Sequence, residues 1–369
     1  MNTNVDLVSA NGQMAQGEMA NQFLNNGKLN VGAMRPWIHE DGRPYITIYK
    51  GGDPKVPTNY VTSLQTNATA TLRRDEWKQL DDVLVEVSRT RLGGIQDLLE
   101  KGLTYNLGNA MGTTVLEWHD VSDAMEADVT MDGITRSRND RPVFQHNYLP
   151  IPIIHVDYEI NARVLAASRS LGNPLDVTSA ERAARRVLEK LEDMLFTNTN
   201  YSFGAADSRG LNTIYSYVNH PDRNQVALAV NWDAAAMTAA LILADVQAMK
   251  TASMTAMHYG PWMLYIPSLY ETVMDLDYQT GAVNGQTIRE RLMKIDGIKG
   301  IKVVDRMPAN NVLLVQMTSD VVRLVNGLPL QNVQWNEEGK FITKYKVLAI
   351  QVPQIRSDQN LKSGVVHLA

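Results

Sequence analysis

The chain has 369 residues, is 44% hydrophobic, and sets 40 acidic against 35 basic side chains for a formal net charge of −5. That balance excludes a general nucleic-acid binder, whose phosphate contacts need Lys and Arg in surplus. The absence of cysteine excludes disulfides, thiol catalysis and Cys-ligated zinc.

The length allows a large core and two or more lobes. The opening stretch "MNTNVDLVSANGQMAQGEMANQF" has neither a basic nor an apolar leader region, so no signal peptide is expected. Residues 1–66 are rich in Asn, Gln and Gly, and such a segment buries little surface alone. It reads as an N-terminal arm ordered by neighbouring subunits. Within it "RPYITIYK" (43–50) predicts a strand and "GGDPKVP" (51–57) a loop.

A helical region is expected over 67–112. Trp77, Leu80, Leu84 and Val87 recur at helical spacing in 74–92, and the Asp81–Asp82 pair falls on the wet face. Gly93-Gly94 interrupts that helix, and "IQDLLEKGL" continues it briefly. Residues 113–165 turn extended and aromatic, in "TTVLEWHDV" and "VFQHNYLPIPIIHVDYEI". Between those runs lie acidic Glu126, Asp128 and Asp132, the Asp132-Gly133 turn, and basic Arg136, Arg138 and Arg141. Pro150 and Pro152 cannot donate to a sheet ladder, which places this hairpin on an edge or on an arm leaving the core.

The clearest helix covers 179–196, with a continuous apolar face from Ala180 to Leu195 and capping-box spacing between Thr178 and Glu181. Its other face, Glu181, Arg182, Arg185, Glu189, Lys190 and Glu192, is expected to be solvated or to meet a partner. A second helix is expected over 233–250 with Asp233 as N-cap. It is apolar nearly all round, which predicts burial on several sides, and its core run 234–244 is too short to span a bilayer. "WMLYIPS" (262–268) predicts a buried strand, "GQTIRERLMKI" (285–295) a third helix, and five strand-like runs complete the chain. Helices and strands mix without βαβ alternation, so the class is α+β.

No P-loop, dinucleotide fingerprint, nucleophile elbow or HExxH motif occurs. His155, Asp157 and Glu159 alternate along one strand face, the residue types of a metal or acid–base site. The competing reading makes them a solvent- or partner-facing edge, with Val156, Tyr158 and Ile160 turned inward. His119 beside Asp120 is a weaker case, because adjacent strand residues point to opposite faces. The arginines 136, 138 and 141 suit phosphate, but the acidic set upstream offers them partners in the hairpin or on a neighbour. No cofactor, metal or catalytic residue is assigned.

"DEWKQLDDVLVEVSRTRLGG", "LPIPIIHVDYEINARVL", "NPLDVTSAERAARRVLEKLEDMLFTN", "SRGLNTI", "YGPWMLYIPSLYETVM" and "KYKVLAIQVPQIRSDQNLKSGVVHL" follow a recognisable order. Over residues 68–369 that order resembles the Hong Kong 97-type major capsid protein fold of tailed bacteriophages, and within it the linocin/encapsulin branch. The resemblance implies an extended E-loop hairpin at 113–165, a P-domain at 166–228 and 340–369 built on a long spine helix, and an A-domain at 229–339. It implies a non-enzymatic subunit, made in a host bacterial cytoplasm, that tiles an icosahedral virion shell around double-stranded DNA as hexamers and pentamers. Portal, scaffolding and decoration proteins are further candidate partners, the packaged DNA is contacted non-specifically, and no membrane is involved. The alternative is an encapsulin-type compartment enclosing a cargo enzyme. Residues 1–66 have no counterpart in the compact shells of that branch and favour the capsid. Some members crosslink through an E-loop Lys, whereas this chain has no Lys between 102 and 189, so noncovalent reinforcement is expected.

Overall fold

The computed structural model describes residues 35–49, 56–64, 72–88, 93–108, 110–121, 131, 144–171, 177–198, 201–203, 213–278, 285–335, 342–358 and 360–369. The chain opens with strands β1 (Trp37–Ile38), β2 (Pro44–Tyr49), β3 (Tyr60–Leu64) and β4 (Leu72–Arg73), then helices α1 (Arg74–Ser88) and α2 (Gly93–Glu100). Strands β5 (Thr104–Asn106), β6 (Val115–Val121), β7 (Phe144–Pro150) and β8 (Ile154–Asn161) lead to α3 (Ala162–Leu171) and α4 (Thr178–Phe196). Short strands β9 (Tyr201–Ser202), β10 (Thr213–Ile214) and β11 (Asn224–Val226) precede α5 (Ala239–Thr255). Then come β12 (Trp262–Pro267), α6 (Glu271–Met274), α7 (Ile288–Met293), β13 (Ile298–Val304), β14 (Val312–Gln316), β15 (Val322–Trp335), β16 (Ile342–Ile355) and β17 (Val365–Leu368).

Two sheets carry the fold. One is five-stranded and mixed, in the order β11-β17-β14-β12-β13; the other is four-stranded, β5-β15-β16-β8. β12 and β14 are buried along their whole length, and their period-2 alternation splits them between two cores. Met263, Tyr265, Leu313 and Val315 face the cluster built on α4, while Trp262, Leu264, Ile266, Val312 and Leu314 face α5 to α7. β15 and β16 pair antiparallel from Val322↔Ile355 to Trp335↔Lys344. β17 inserts between β11 and β14 in the five-stranded sheet. Among the described residues no helix is long and apolar enough to cross a membrane.

The four-stranded N-terminal sheet, β3-β2-β1-β4, packs on its own subunit. Trp77 of α1 donates its Nε1–H to the Pro36 carbonyl at 3.1 Å, and the Arg35 guanidinium lies 4.6 Å from the Trp77 ring centroid. Arg35 also pairs with Asp81 at 2.6 Å, so Asp81 is engaged, not merely wet. Arg169 of α3 holds Glu76 of α1 in a fork at 2.8 and 2.6 Å. The described start of the N-terminal sheet, at Arg35 to Trp37, is thereby tied to α1 within one chain.

Helix α4 is the longest, and three expectations about the helices need correction. The cap position of α4 is Val177, which makes no side-chain cap hydrogen bond, so the Thr178–Glu181 capping box does not form. Val177 instead packs against the cluster of Leu72, Trp77 and Tyr345. α5 begins at 239, not 233, because Thr238 is the extended residue whose hydroxyl accepts from the Leu241 N–H. α7 covers only 288–293, with Thr287 as its cap.

The largest departure is Glu192, expected on the solvated face of α4 but only 1% exposed. Its carboxylate accepts from the backbone N–H of Gly94 at 2.9 Å and of Ile95 at 3.3 Å. It thus occupies the N-terminus of α2, where free N–H groups and the helix dipole favour negative charge. Burial pushes its carboxyl up from 4.5 to about 7, against the lowering effect of the two N–H bonds, with Asp97 and Asp193 adding to the rise. Asp97, one turn along α2, is also buried; it accepts from the Tyr265 hydroxyl at 3.0 Å and pairs with Lys302 of β13. Gly94 permits the approach, because a Cβ there would overlap the Phe196 ring and the Leu195 side chain.

Two outcomes are expected. Gly94→Ala should lower the denaturant midpoint by the equivalent of about 1–3 kcal/mol through overpacking. Gly93→Ala, whose Cβ would meet only Lys302 Cδ at 3.9 Å, should not. The Glu192 carboxyl rises from 4.5 unfolded to about 7 folded, so between those values the folded state holds a proton that the unfolded state has lost. Its stabilising contribution is complete below pH 4.5 and lost as pH climbs through about 7. Thermal melts of wild type and Glu192→Gln across this window should show the wild type gaining relative to the variant on acidification. A difference independent of pH would contradict the assignment.

Candidate assembly surfaces

β6 and β7 form a two-stranded antiparallel ribbon, in register from Val115↔Pro150 to Val121↔Phe144. Alternation gives it two unlike faces. Leu116, Trp118 and Leu149 turn inward against Val325, Ile350 and Val352 of β15 and β16. Glu117, His119, Phe144 and His146 turn outward and are exposed, Phe144 to 59%. The base of the hairpin is therefore anchored on its own subunit. Glu126, Asp128, Asp132, Arg136, Arg138 and Arg141, the expected inter-subunit contacts, lie outside the described residues, as does the Asp132-Gly133 turn.

The extended run 144–161 is two strands, β7 ending at Pro150 and β8 starting at Ile154, with Pro152 in the break. β8 is the edge of the four-stranded sheet, its inner neighbour being β16. His155, Asp157 and Glu159 stand on its exposed side, and Val156 and Tyr158 pack toward the cores. Asp157 lies 3.5 Å from His155 Nδ1 and 3.4 Å from Lys346 Nζ on the adjacent strand. Among the described residues no three His, Asp or Glu side chains gather into a ready-made metal shell.

Two further histidines, in the five-stranded sheet and the turn beside it, are structural. Burial pushes both His220 and His367 down to about 4, which keeps them neutral. Arg223 donates to His367 Nδ1 at 3.2 Å, so Nε2 carries the proton toward Asn311 Oδ1 at 2.6 Å.

A second surface runs along α5. Ile242, Val246 and Met249 are buried, but the opposite side leaves Leu241 and Met254 exposed, followed by Met257 and Tyr259 at 70% and 63%. The all-round apolar sequence predicted burial on several sides, yet within one chain only one side is covered. β3 adds exposed Tyr60, Val61 and Leu64 at the edge of the N-terminal sheet. Exposed apolar side chains on these two elements are candidate contacts with other molecules. Their sequence signal was the excess of apolar positions over what one face can bury.

This architecture has counterparts among known proteins. The virus-like particle protein of Pyrococcus furiosus superimposes with a TM-score of 0.54 at 16% identity, over 79% of this chain and 99% of that one. The capsid protein of Myoviridae phage XM1 gives 0.56 at 10% identity, over 75% and 91%. In sequence, the type 1 encapsulin shell protein EncA of Myxococcus xanthus is 25% identical over 233 residues, which is 62% of this chain and 71% of that protein. The fold is α+β and of the Hong Kong 97 type shared by phage capsid and encapsulin shell proteins. The model of a family of unknown function, DUF6260, matches residues 67–368, and the chain belongs to that family.

Proposed function

We propose that this chain is the major capsid protein of a tailed bacteriophage, a structural subunit that assembles into a closed icosahedral shell around double-stranded DNA. The observation that carries this reading is the fold, in which two helix-backed sheets leave the outer face of a two-stranded ribbon and one side of α5 uncovered. Closed symmetric assembly needs heterologous contacts whose rotation closes. A ribbon anchored at its base supplies such contacts without enlarging the core. Hexamers and pentamers are the assembly units in this reading, the charged tip residues reach a neighbouring subunit, and the α5 side meets further copies around the symmetry axes. Portal, scaffolding and decoration proteins join in a host bacterial cytoplasm, and the virion is the final location. The acidic balance keeps the wall from gripping the packaged DNA. The role is structural and needs no catalytic group.

A second reading, an encapsulin-type compartment around a cargo enzyme, is favoured by the sequence match to the Myxococcus shell protein. The two share the subunit fold and differ in what is enclosed and in shell size.

Sedimentation velocity of the purified chain should show one large, discrete species. Replacing 122–143 with a short Gly-Ser turn should leave a folded, slowly sedimenting subunit with an unchanged far-UV spectrum. A variant that still assembles would remove the hairpin from the contact set. Hot detergent should reduce assembled particles to a single monomer band, whereas a covalent ladder would contradict noncovalent reinforcement.

A further inference from the structure

The register of the ribbon sets His119 directly opposite His146, on its exposed face. Their rings stand 4.3 Å apart between centroids and perpendicular. Glu117, two residues before His119 on the same face, lies 3.2 Å from His146 Nδ1. A carboxylate at that nitrogen accepts its proton, fixes the tautomer, and leaves Nε2 with a free lone pair.

We propose that His119 and His146 form a cross-strand binding site for one divalent transition-metal ion, with Glu117 as the positioning residue. Two imidazoles select a borderline ion such as Ni²⁺, Cu²⁺ or Zn²⁺ over Mg²⁺ or Ca²⁺, which take oxygen ligands. Metal–nitrogen bonds of about 2.0–2.1 Å put two nitrogens on one ion roughly 3.3 Å apart. Facing side chains on paired strands reach that separation by rotation about their side-chain bonds, with the backbone fixed. Water fills the remaining positions, because no third protein ligand is gathered there among the described residues. The pair lies toward the outer end of the ribbon, two pairings before its last described one, Val121↔Phe144. Chelation there ties β6 to β7 where the hairpin leaves the core, and so stiffens the arm. The site is independent of the shell reading, since both ligands come from one chain.

The test is calorimetric titration of the untagged, full-length, chelator-treated chain with Ni²⁺, repeated with Mg²⁺. One Ni²⁺ per chain and no Mg²⁺ binding are expected. His119→Ala and His146→Ala should each weaken Ni²⁺ at least tenfold. Glu117→Gln should weaken it on the order of tenfold, because it removes the carboxylate that holds the His146 ring in its metal-binding tautomer. His155→Ala, which alters another exposed histidine beside a carboxylate, should leave it unchanged. All four positions are on the surface, so the variants fold. Wild-type affinity in either His119→Ala or His146→Ala would overturn the proposal, and so would an equal loss in His155→Ala.

Discussion

The structure turns on one buried carboxylate. Glu192 leaves α4 toward the start of α2 and satisfies two N–H groups that the helix cannot satisfy itself. The contact fixes α2 against α4 at a distance only glycine allows at position 94. One turn along, Asp97 ties the same short helix to Tyr265 of β12 and Lys302 of β13. α2 is thus pinned to the longest helix on one side and the five-stranded sheet on the other. Burying two carboxylates costs solvation, and each is repaid only while its partners stay in place. The joint therefore fixes how the five-stranded sheet stands about α4.

Around that joint the apolar surface is divided unevenly. Both faces of β12 and β14 are covered within the chain. The inner face of the β6–β7 ribbon, and the start of the N-terminal sheet through Trp77 and Arg35, are also covered at home. Among the described residues, exposed apolar side chains include those on the outward side of α5, on β3 and on the outer face of the ribbon. Each belongs to an element whose other side is anchored. Such surfaces are presented in a set direction, so subunit contacts can form without a prior ordering cost for the elements that carry them.

Much of this was legible in the sequence. Period-2 and period-3.6 patterns located α1, α4, β12, β14 and the ribbon, but the break at 151–153 in the extended run was not read from them. Alternation also placed Val156 and Tyr158 inward and His155, Asp157 and Glu159 outward. The misses share a cause, which is that the deciding partner lies far away along the chain. Glu192 reads as a wet-face residue because its partners, Gly94 and Ile95, are almost a hundred residues upstream. The Thr178–Glu181 spacing is right for a capping box, but packing of Val177 moves the cap back by one residue. The His119–His146 pair depends on strand register, and the register of β6 against β7 cannot be counted from sequence spacing. The exposed side of α5 escaped because apolarity alone does not say whether the cover comes from the same chain or from another copy.

The central claim is that this subunit closes on itself into a shell. Electron microscopy of the purified 369-residue chain, with no other protein present, tests it most directly. The account predicts closed, hollow particles of uniform diameter, with the described ribbon of one subunit resting on its neighbour. Monomers that persist under all assembly conditions, or open sheets and irregular aggregates without closure, would contradict it.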